Sequence, residues 1–361
     1  ARESAARSMV LLKNDNNVLP FAKTVKNVVI VGPLGDSGDD IIGPWHGDGR
    51  GAEAITLLAG VRNQLPKAQV VHVLGCDAEG KKPLDRAAVS QAISGADVVI
   101  VAVGEKASMS GEASCRSSLD LPGEQTDLVR LVHDSGKPYA VALQNGRPLS
   151  LRWVAEKSPA ILEAWFPGSE GGNAMADVLF GDSNPGGKLP ISFPRTVGQC
   201  PIYYNYKNTG RPADLRDSYV SNYLDVPNDP QFVFGHGLSY TRFQIDGVKL
   251  SSPTIRPDGQ ITVTATVKNT GARAGDEVVQ LYIRDRISSV TRPVRELKGF
   301  KRVALQPGES QQVSFDLGPR ELGFYDLDMH WIVEPGDFDV FVGNSSKAKL
   351  GAASPWRLHT E

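Results

Sequence analysis

The chain has 361 residues, more than the roughly 250–300 at which a single hydrophobic core stops growing, so two or three domains are expected. With 40% hydrophobic and 22% charged residues and a formal net charge of -2, it has ordinary globular composition, and nothing in that balance favours nucleic acid or an anionic membrane as partner. Cys76, Cys115 and Cys200 lack zinc spacing, no HExxH pair occurs, and no apolar run approaches the ~18 residues of a membrane span, so a disulfide framework, metal hydrolysis and a membrane helix have no support.

The opening segment ARESAARSMVLLKN repeats Ala5, Met9 and Leu12 at helical spacing with no capping residue ahead, and reads as a cut through a longer chain. From residue 28 to about 193 the pattern is α/β. Short unbroken apolar runs at 28–31 (VVIV), 98–103 (VVIVAV), 139–143 (YAVAL) and 161–165 (ILEAW) read as strands buried on both faces, with helices expected at 53–65, 85–94, 123–133 and 172–180. Such alternation predicts a mostly parallel, layered sheet whose ligands sit beyond the C-terminal ends of its strands. Residues 195–242 are a Pro-, Asn- and aromatic-rich connector. Beyond it, 261–268, 277–285, 311–317 and 338–343 alternate apolar and polar residues between turns, which predicts a two-sheet β-sandwich over 243–361.

Two motifs fail on inspection. The segment GPLGDSG at 32–38 follows a strand but is not G-x-G-x-x-G and lacks the Gly-Lys-Ser/Thr of a phosphate loop. In PGSEG at 167–171, Pro167 replaces the first Gly of a nucleophile elbow, so Ser169 reads as part of a tight turn opening a helix. The remaining tryptophans, Trp153, Trp165, Trp331 and Trp356, read as packing residues. The loop after the 98–103 strand, GEKASMSGEASCRSS, is rich in small residues and carries two carboxylates, Glu105 and Glu112, with Arg116 close behind. Small neighbours let a ligand approach the backbone, and Glu112 with Arg116 offers a proton donor and a cation. On composition alone Glu112 reads as a solvated loop carboxylate, and Glu105 as a rival or equally an ion-pair partner.

The runs GEASCRSSLDLPGEQ (111–125), QNGRPLSL (144–151), 163–212, FVFGHGLSYTRF (232–243) and RELKGFKRVALQPGES (295–310) resemble, in order, glycoside hydrolase family 3 across nearly the whole chain, most closely its periplasmic β-glucosidases. The resemblance implies a second-domain α/β sandwich at 28–194, preceded by a linker and helix at 1–27, and a fibronectin type III-like β-sandwich at 243–361. It also implies that the N-terminal barrel, with the Asp nucleophile, lies outside this sequence and is the missing partner. Gly-Glu-Ala-Ser at 111–114 matches the acid/base loop, so Glu112 is the implied acid/base, Arg116 a substrate contact, and Trp45 in GPWHGDG the residue that stacks on the leaving-group sugar.

The implied reaction is retaining hydrolysis of terminal β-glucosides or oligosaccharides, with two carboxyl groups about 5–5.5 Å apart and no cofactor. A periplasmic or secreted location is implied, and the chain without its barrel is expected to be inactive. The alternative is a non-catalytic carbohydrate-binding or interaction module.

Overall fold

The computed structural model describes residues 1–212, 217, 219–348 and 356–360, and the chain divides into two compact units. The first comprises Ala1–Lys188, Phe193–Cys200 and Gly237–Tyr240; the second comprises Leu189–Ser192, Pro201–His236 and the chain from Thr241 onward.

In the first unit, α1 (Arg2–Ser8) and β1 (Val10–Asn14) precede β2 (Asn27–Val31), the short α2 (Gly38–Ile41), α3 (Leu57–Gln64) and β3 (Gln69–Val73). There follow α4 (Arg86–Ser94), β4 (Val98–Gly104), α5 (Gln125–Asp134), β5 (Tyr139–Gln144), α6 (Arg152–Lys157), β6 (Ala160–Glu163) and α7 (Gly171–Leu179). The sheet order is β1-β6-β5-β4-β2-β3, parallel from β2 to β6 with β1 antiparallel on β6. Every residue of β4 and β5 is buried, which is why these strands read as unbroken apolar runs. The chain leaves β2 towards β3 and returns to place β4 on β2's other side. The C-terminal ends of β2 and β4 therefore lie side by side, and the loops leaving them diverge at a topological switch point.

Local chemistry sets the helix starts. The helix expected from 53 begins at Leu57 because the Thr56 hydroxyl accepts the Ala59 N–H at 3.2 Å. Asp85 caps α4 in the same way, accepting from Ala88 N–H at 3.0 Å. Helices α3 and α7 touch at Gly60 and Gly172, where a Cβ on Gly60 would lie 2.1 Å from the Gly172 carbonyl, so the backbones meet only because neither carries a side chain.

The helical spacing of Ala5, Met9 and Leu12 ends early, and this corrects the sequence reading. Helix α1 stops at Ser8, and Val10 and Leu11 pair with Glu163 and Leu162 of β6. The edge of β6 offers backbone partners that another helical turn would forgo. The strand β3 was likewise not anticipated; its alternating QVVHV sits at the opposite sheet edge. Trp165 is not in β6 but follows it at φ +57°, its ring edge-on to Phe193 with centroids 6.0 Å apart. Trp153 packs edge-on to His133 at 5.6 Å.

The second unit contains β7 (Phe243–Leu250), β8 (Thr254–Ile255), β9 (Ile261–Asn269), β10 (Gly275–Asp285), β11 (Glu296–Leu305), β12 (Ser310–Leu317), α8 (Pro319–Leu322), β13 (Phe324–Tyr325), β14 (Trp331–Ile332), β15 (Gly336–Gly343) and β16 (Trp356–Thr360). Two sheets, β11-β10-β15-β16-β8 and β12-β9-β7, bury a shared core that includes Val263, Val267, Val279, Leu281 and Phe338. Alternate residues of β9 point into it, as the period-2 pattern requires. Trp331 is half exposed and donates its indole N–H to the Pro319 carbonyl at 3.1 Å; the Trp356 side chain lies outside the described residues. Part of the connector is ordered by aromatic packing: Tyr204 stacks on Phe234 at 4.3 Å and its hydroxyl accepts from Leu297 N–H at 3.2 Å.

Candidate active site

The loops after β2 and β4 meet at the switch point. Asp40 on the first accepts the Ala107 N–H of the second at 3.0 Å, while its other oxygen accepts from the Ser37 hydroxyl at 2.7 Å. Between these loops lies an open cleft of about 600 Å³ lined by Asp39, His46, Arg50, Lys106 and Ser108 among others. Next to it the chain turns sharply twice around Glu112, with Gly111 at φ +106° and Ala113 at φ +58°. Gly111 is required twice over, by its backbone and by space: a Cβ there would be 3.2 Å from the Pro44 Cβ and 3.8 Å from Cζ2 of Trp45. The indole of Trp45 is thus brought to the residue preceding Glu112. It is 75% exposed, not a core residue of its unit. The Glu112 carboxylate is exposed and, among the described residues, accepts no hydrogen bond and has no ion-pair partner.

The other carboxylate of the loop has the opposite environment. Glu105 is fully buried at the end of β4, its Oε1 2.5 Å from Nη1 of Arg116 and 3.0 Å from Nε of Arg147. It is the ion-pair partner that the sequence left as one of two readings. Arg116, read as a substrate contact, commits Nη1 to Glu105 and Nη2 to the Asp120 carbonyl at 3.0 Å. Arg147 commits Nη2 to the carbonyls of Met109 and Ser114, the latter at 3.0 Å, and lies 3.5 Å from the Ser110 hydroxyl.

Behind Arg147 the polar chain continues inward. Asn145 donates to the Arg147 carbonyl at 2.9 Å and to Glu163 at 3.2 Å, and the other oxygen of Glu163 accepts from Trp165 N–H at 2.9 Å. Sequence reasoning assigned no role to Asn145, Arg147 or Glu163. The available signal was their position at the C-terminal ends of buried strands, Asn145 and Arg147 just after β5 and Glu163 as the last residue of β6, where parallel sheets present side chains to a site.

Burial pushes the Glu163 carboxyl up to about 8, against the hydrogen bonds from Trp165 and Asn145, with the charge of Glu105 adding to the rise. The fold therefore favours the protonated form. Its contribution to stability is complete below the ordinary value near 4.5 and is lost progressively as pH rises towards about 8, because the unfolded chain alone ionises in that window. Glu163→Gln is expected to flatten the melting temperature between pH 5 and 8 relative to wild type. Superimposable pH profiles for the two proteins would show that Glu163 is ionised in the fold throughout.

Elsewhere, Asp326, Asp328 and His330 bring possible ligand atoms within 4.8 Å of one another. Oδ1 of Asp326 accepts the N–H groups of Asp328 and His330 at 2.9 and 2.8 Å, which shape the β13–β14 turn, and Oδ2 lies 3.6 Å from Nδ1 of His330. No helix among the described residues is long and apolar enough to cross a membrane.

Residues 9–240 match the model of the glycosyl hydrolase family 3 C-terminal domain, and 277–346 match the fibronectin type III-like domain. The chain belongs to glycoside hydrolase family 3. Its family 3 relatives include a periplasmic β-glucosidase of Salmonella typhimurium, 43% identical over 98% of this chain and 49% of that protein. A β-xylosidase of Formosa agariphila is 42% identical over 96% of this chain and 48% of its own length. Among solved family 3 structures, a β-glucosidase of Listeria innocua in complex with laminaribiose superposes with a TM-score of 0.91 at 40% identity, covering all of this chain and 49% of that one. The chain therefore spans about half the length of the relatives it matches. Its α/β unit with a mostly parallel sheet, followed by a β-sandwich, is the pair of domains that the family models describe.

Proposed function

We propose that this chain supplies the acid/base half of a retaining exo-β-glycosidase site of β-glucosidase type, with Glu112 as the acid/base and the covalent nucleophile carried by a barrel domain outside this sequence. The observation that carries this reading is the exposed Glu112 carboxylate, held on a sharp turn beside the indole of Trp45 at the switch point of the sheet. In the first step the nucleophile's carboxylate attacks the anomeric carbon, the glycosidic C–O bond breaks, and Glu112 gives its proton to the departing oxygen. In the second, ionised Glu112 takes a proton from water as that water's oxygen attacks the anomeric carbon and releases the nucleophile. The reaction so drawn uses no cofactor.

The exposed indole of Trp45 suits the apolar face of the leaving-group sugar, and the N–H groups of Arg116 not engaged by Glu105 or Asp120 are offered to its hydroxyls. A location outside the cytoplasm, like that of the Salmonella relative, accords with this role.

The test is hydrolysis of 4-nitrophenyl β-glucoside followed by NMR, with glucose release from cellobiose measured alongside. The full-length protein is expected to release β-glucose first, the signature of retention, and this chain alone to release none. A lone carboxylate in water lacks both the nucleophile and the positioning that make the reaction unimolecular. α-Glucose as first product would overturn the retaining assignment. Sustained hydrolysis by the isolated chain would mean that it carries its own nucleophile.

A further inference from the structure

We propose that Arg147 is a positioning residue for Glu112, an arginine clamp that holds both arms of the acid/base turn. The proposal rests on the reading of Glu112 as the acid/base and adds the device that keeps its carboxylate in place.

The turn cannot hold itself. Glu112 lies between two residues at positive φ, Gly111 and Ala113. For alanine that conformation costs ~1 kcal/mol or more and persists only where the surroundings impose it. At the tip, the Glu112 side chain has no partner among the described residues, and the loop's own bonds there are long: Ser114 N–H to Gly111 at 3.3 Å and the Ser114 hydroxyl to the Glu112 carbonyl at 3.5 Å. Nη2 of Arg147, by contrast, reaches the carbonyl of Met109, three residues before Glu112, and that of Ser114, two residues after. One nitrogen thus ties the two arms together at the base of the turn.

The clamp is itself anchored. Nε of Arg147 lies against the buried carboxylate of Glu105, whose own backbone N–H is bonded to the Gln144 carbonyl at the end of β5. The Arg147 carbonyl is held by Asn145, which is tied in turn to Glu163 at the end of β6. The position of the turn is therefore referred to three adjacent strand ends rather than to solvent-exposed loop. A guanidinium suits this task because its donors form a planar fork that addresses a carboxylate and two carbonyls at once; an ammonium at the same place is a point charge on a flexible stem.

The experiment compares Arg147→Lys and Arg147→Met, alone and combined with Glu112→Ala, in the full-length protein. Arg147→Lys keeps a cation opposite Glu105 and so spares the buried carboxylate. The turnover rate on cellobiose, whose leaving group needs protonation, and the burst rate of glycosyl-enzyme formation from 2,4-dinitrophenyl β-glucoside, whose leaving group does not, are expressed per active site titrated with a 2-deoxy-2-fluoro glycoside. Any unfolded fraction then drops out of both. A misplacement of about 1 Å can cost ~10²-fold. Arg147→Lys is expected to lower kcat on cellobiose by about that factor while changing cleavage of the activated glycoside only a few-fold, and to have no further effect on cellobiose once Glu112 is alanine.

Equal slowing of both substrates, or the same fold-loss with and without Glu112, would overturn the clamp and leave Arg147 a purely structural residue. Glu112→Ala by itself judges the underlying reading: if it hydrolyses cellobiose at the wild-type rate, the acid/base assignment fails first and for its own reason.

Discussion

Glu112→Ala in the full-length enzyme is expected to slow cellobiose hydrolysis by about 10²–10⁴-fold, the usual worth of a positioned general acid. Glycosides with strongly activated aryl leaving groups are expected to form the glycosyl-enzyme at close to the wild-type rate. The difference follows from proton demand. A sugar alkoxide is too basic to depart unprotonated, whereas a dinitrophenolate is stable as the anion. Breakdown of the glycosyl-enzyme is slowed for every substrate, since water has lost its base. Azide, an anionic nucleophile that needs no deprotonation, is expected to restore turnover on the activated substrate and to yield the β-glucosyl azide. The readouts are a plot of rate against leaving-group acidity and identification of the azide product. If Glu105→Ala produces this pattern and Glu112→Ala does not, the wrong carboxylate has been assigned, and the buried ion pair of Glu105 would have to open during turnover.

Glu105→Ala is instead expected to act on stability, lowering it by about 3–5 kcal/mol. Glu105 is fully buried between Arg116 and Arg147, whose side chains are 19% and 18% exposed. Removing it leaves two guanidinium groups facing each other with little water to screen them, and a buried charge stripped of its partner costs far more than the net worth of the pair. The measurement is the denaturant midpoint of the first unit's unfolding transition, with the m-value checked for constancy. Added salt should do little to recover the loss, because mobile ions screen buried charges poorly. A change below about 1 kcal/mol, the level of an exposed ion pair, would mean that solvent reaches this cluster and that it anchors nothing.

Much of the architecture was legible in one dimension. Runs such as VVIVAV at 98–103 are unbroken because a parallel strand is covered on both faces, and ITVTATVK at 261–268 alternates because a sandwich strand has one face in the core. Asp85 marked the start of α4 because a cap is a contact over three residues, well within reach of local reading. Where the decisive partner was distant, the reading failed. Residues 9–12 fit a continuing helix by spacing, yet Val10 became a strand residue through pairing with Glu163, more than 150 positions away.

The site divides along the same line. The residue types and order of 104–118, together with the family resemblance, placed Glu112, Arg116 and Trp45 on two loops near strand ends. Neither composition nor spacing distinguished Glu105 from Glu112 on their common loop. The family resemblance pointed to Glu112, and tertiary structure gives the two carboxylates opposite environments, burying Glu105 under guanidinium groups 11 and 42 positions away and leaving Glu112 exposed on a turn whose Gly111 meets an indole from the β2 loop. Arg147 had only its place after a buried strand to mark it, and nothing local foretold its partners. Its reach to Met109 and Ser114 exists only because β4 and β5 are neighbours in the sheet, and strand order is set by the packing of the whole unit, not by the residues that the order brings together.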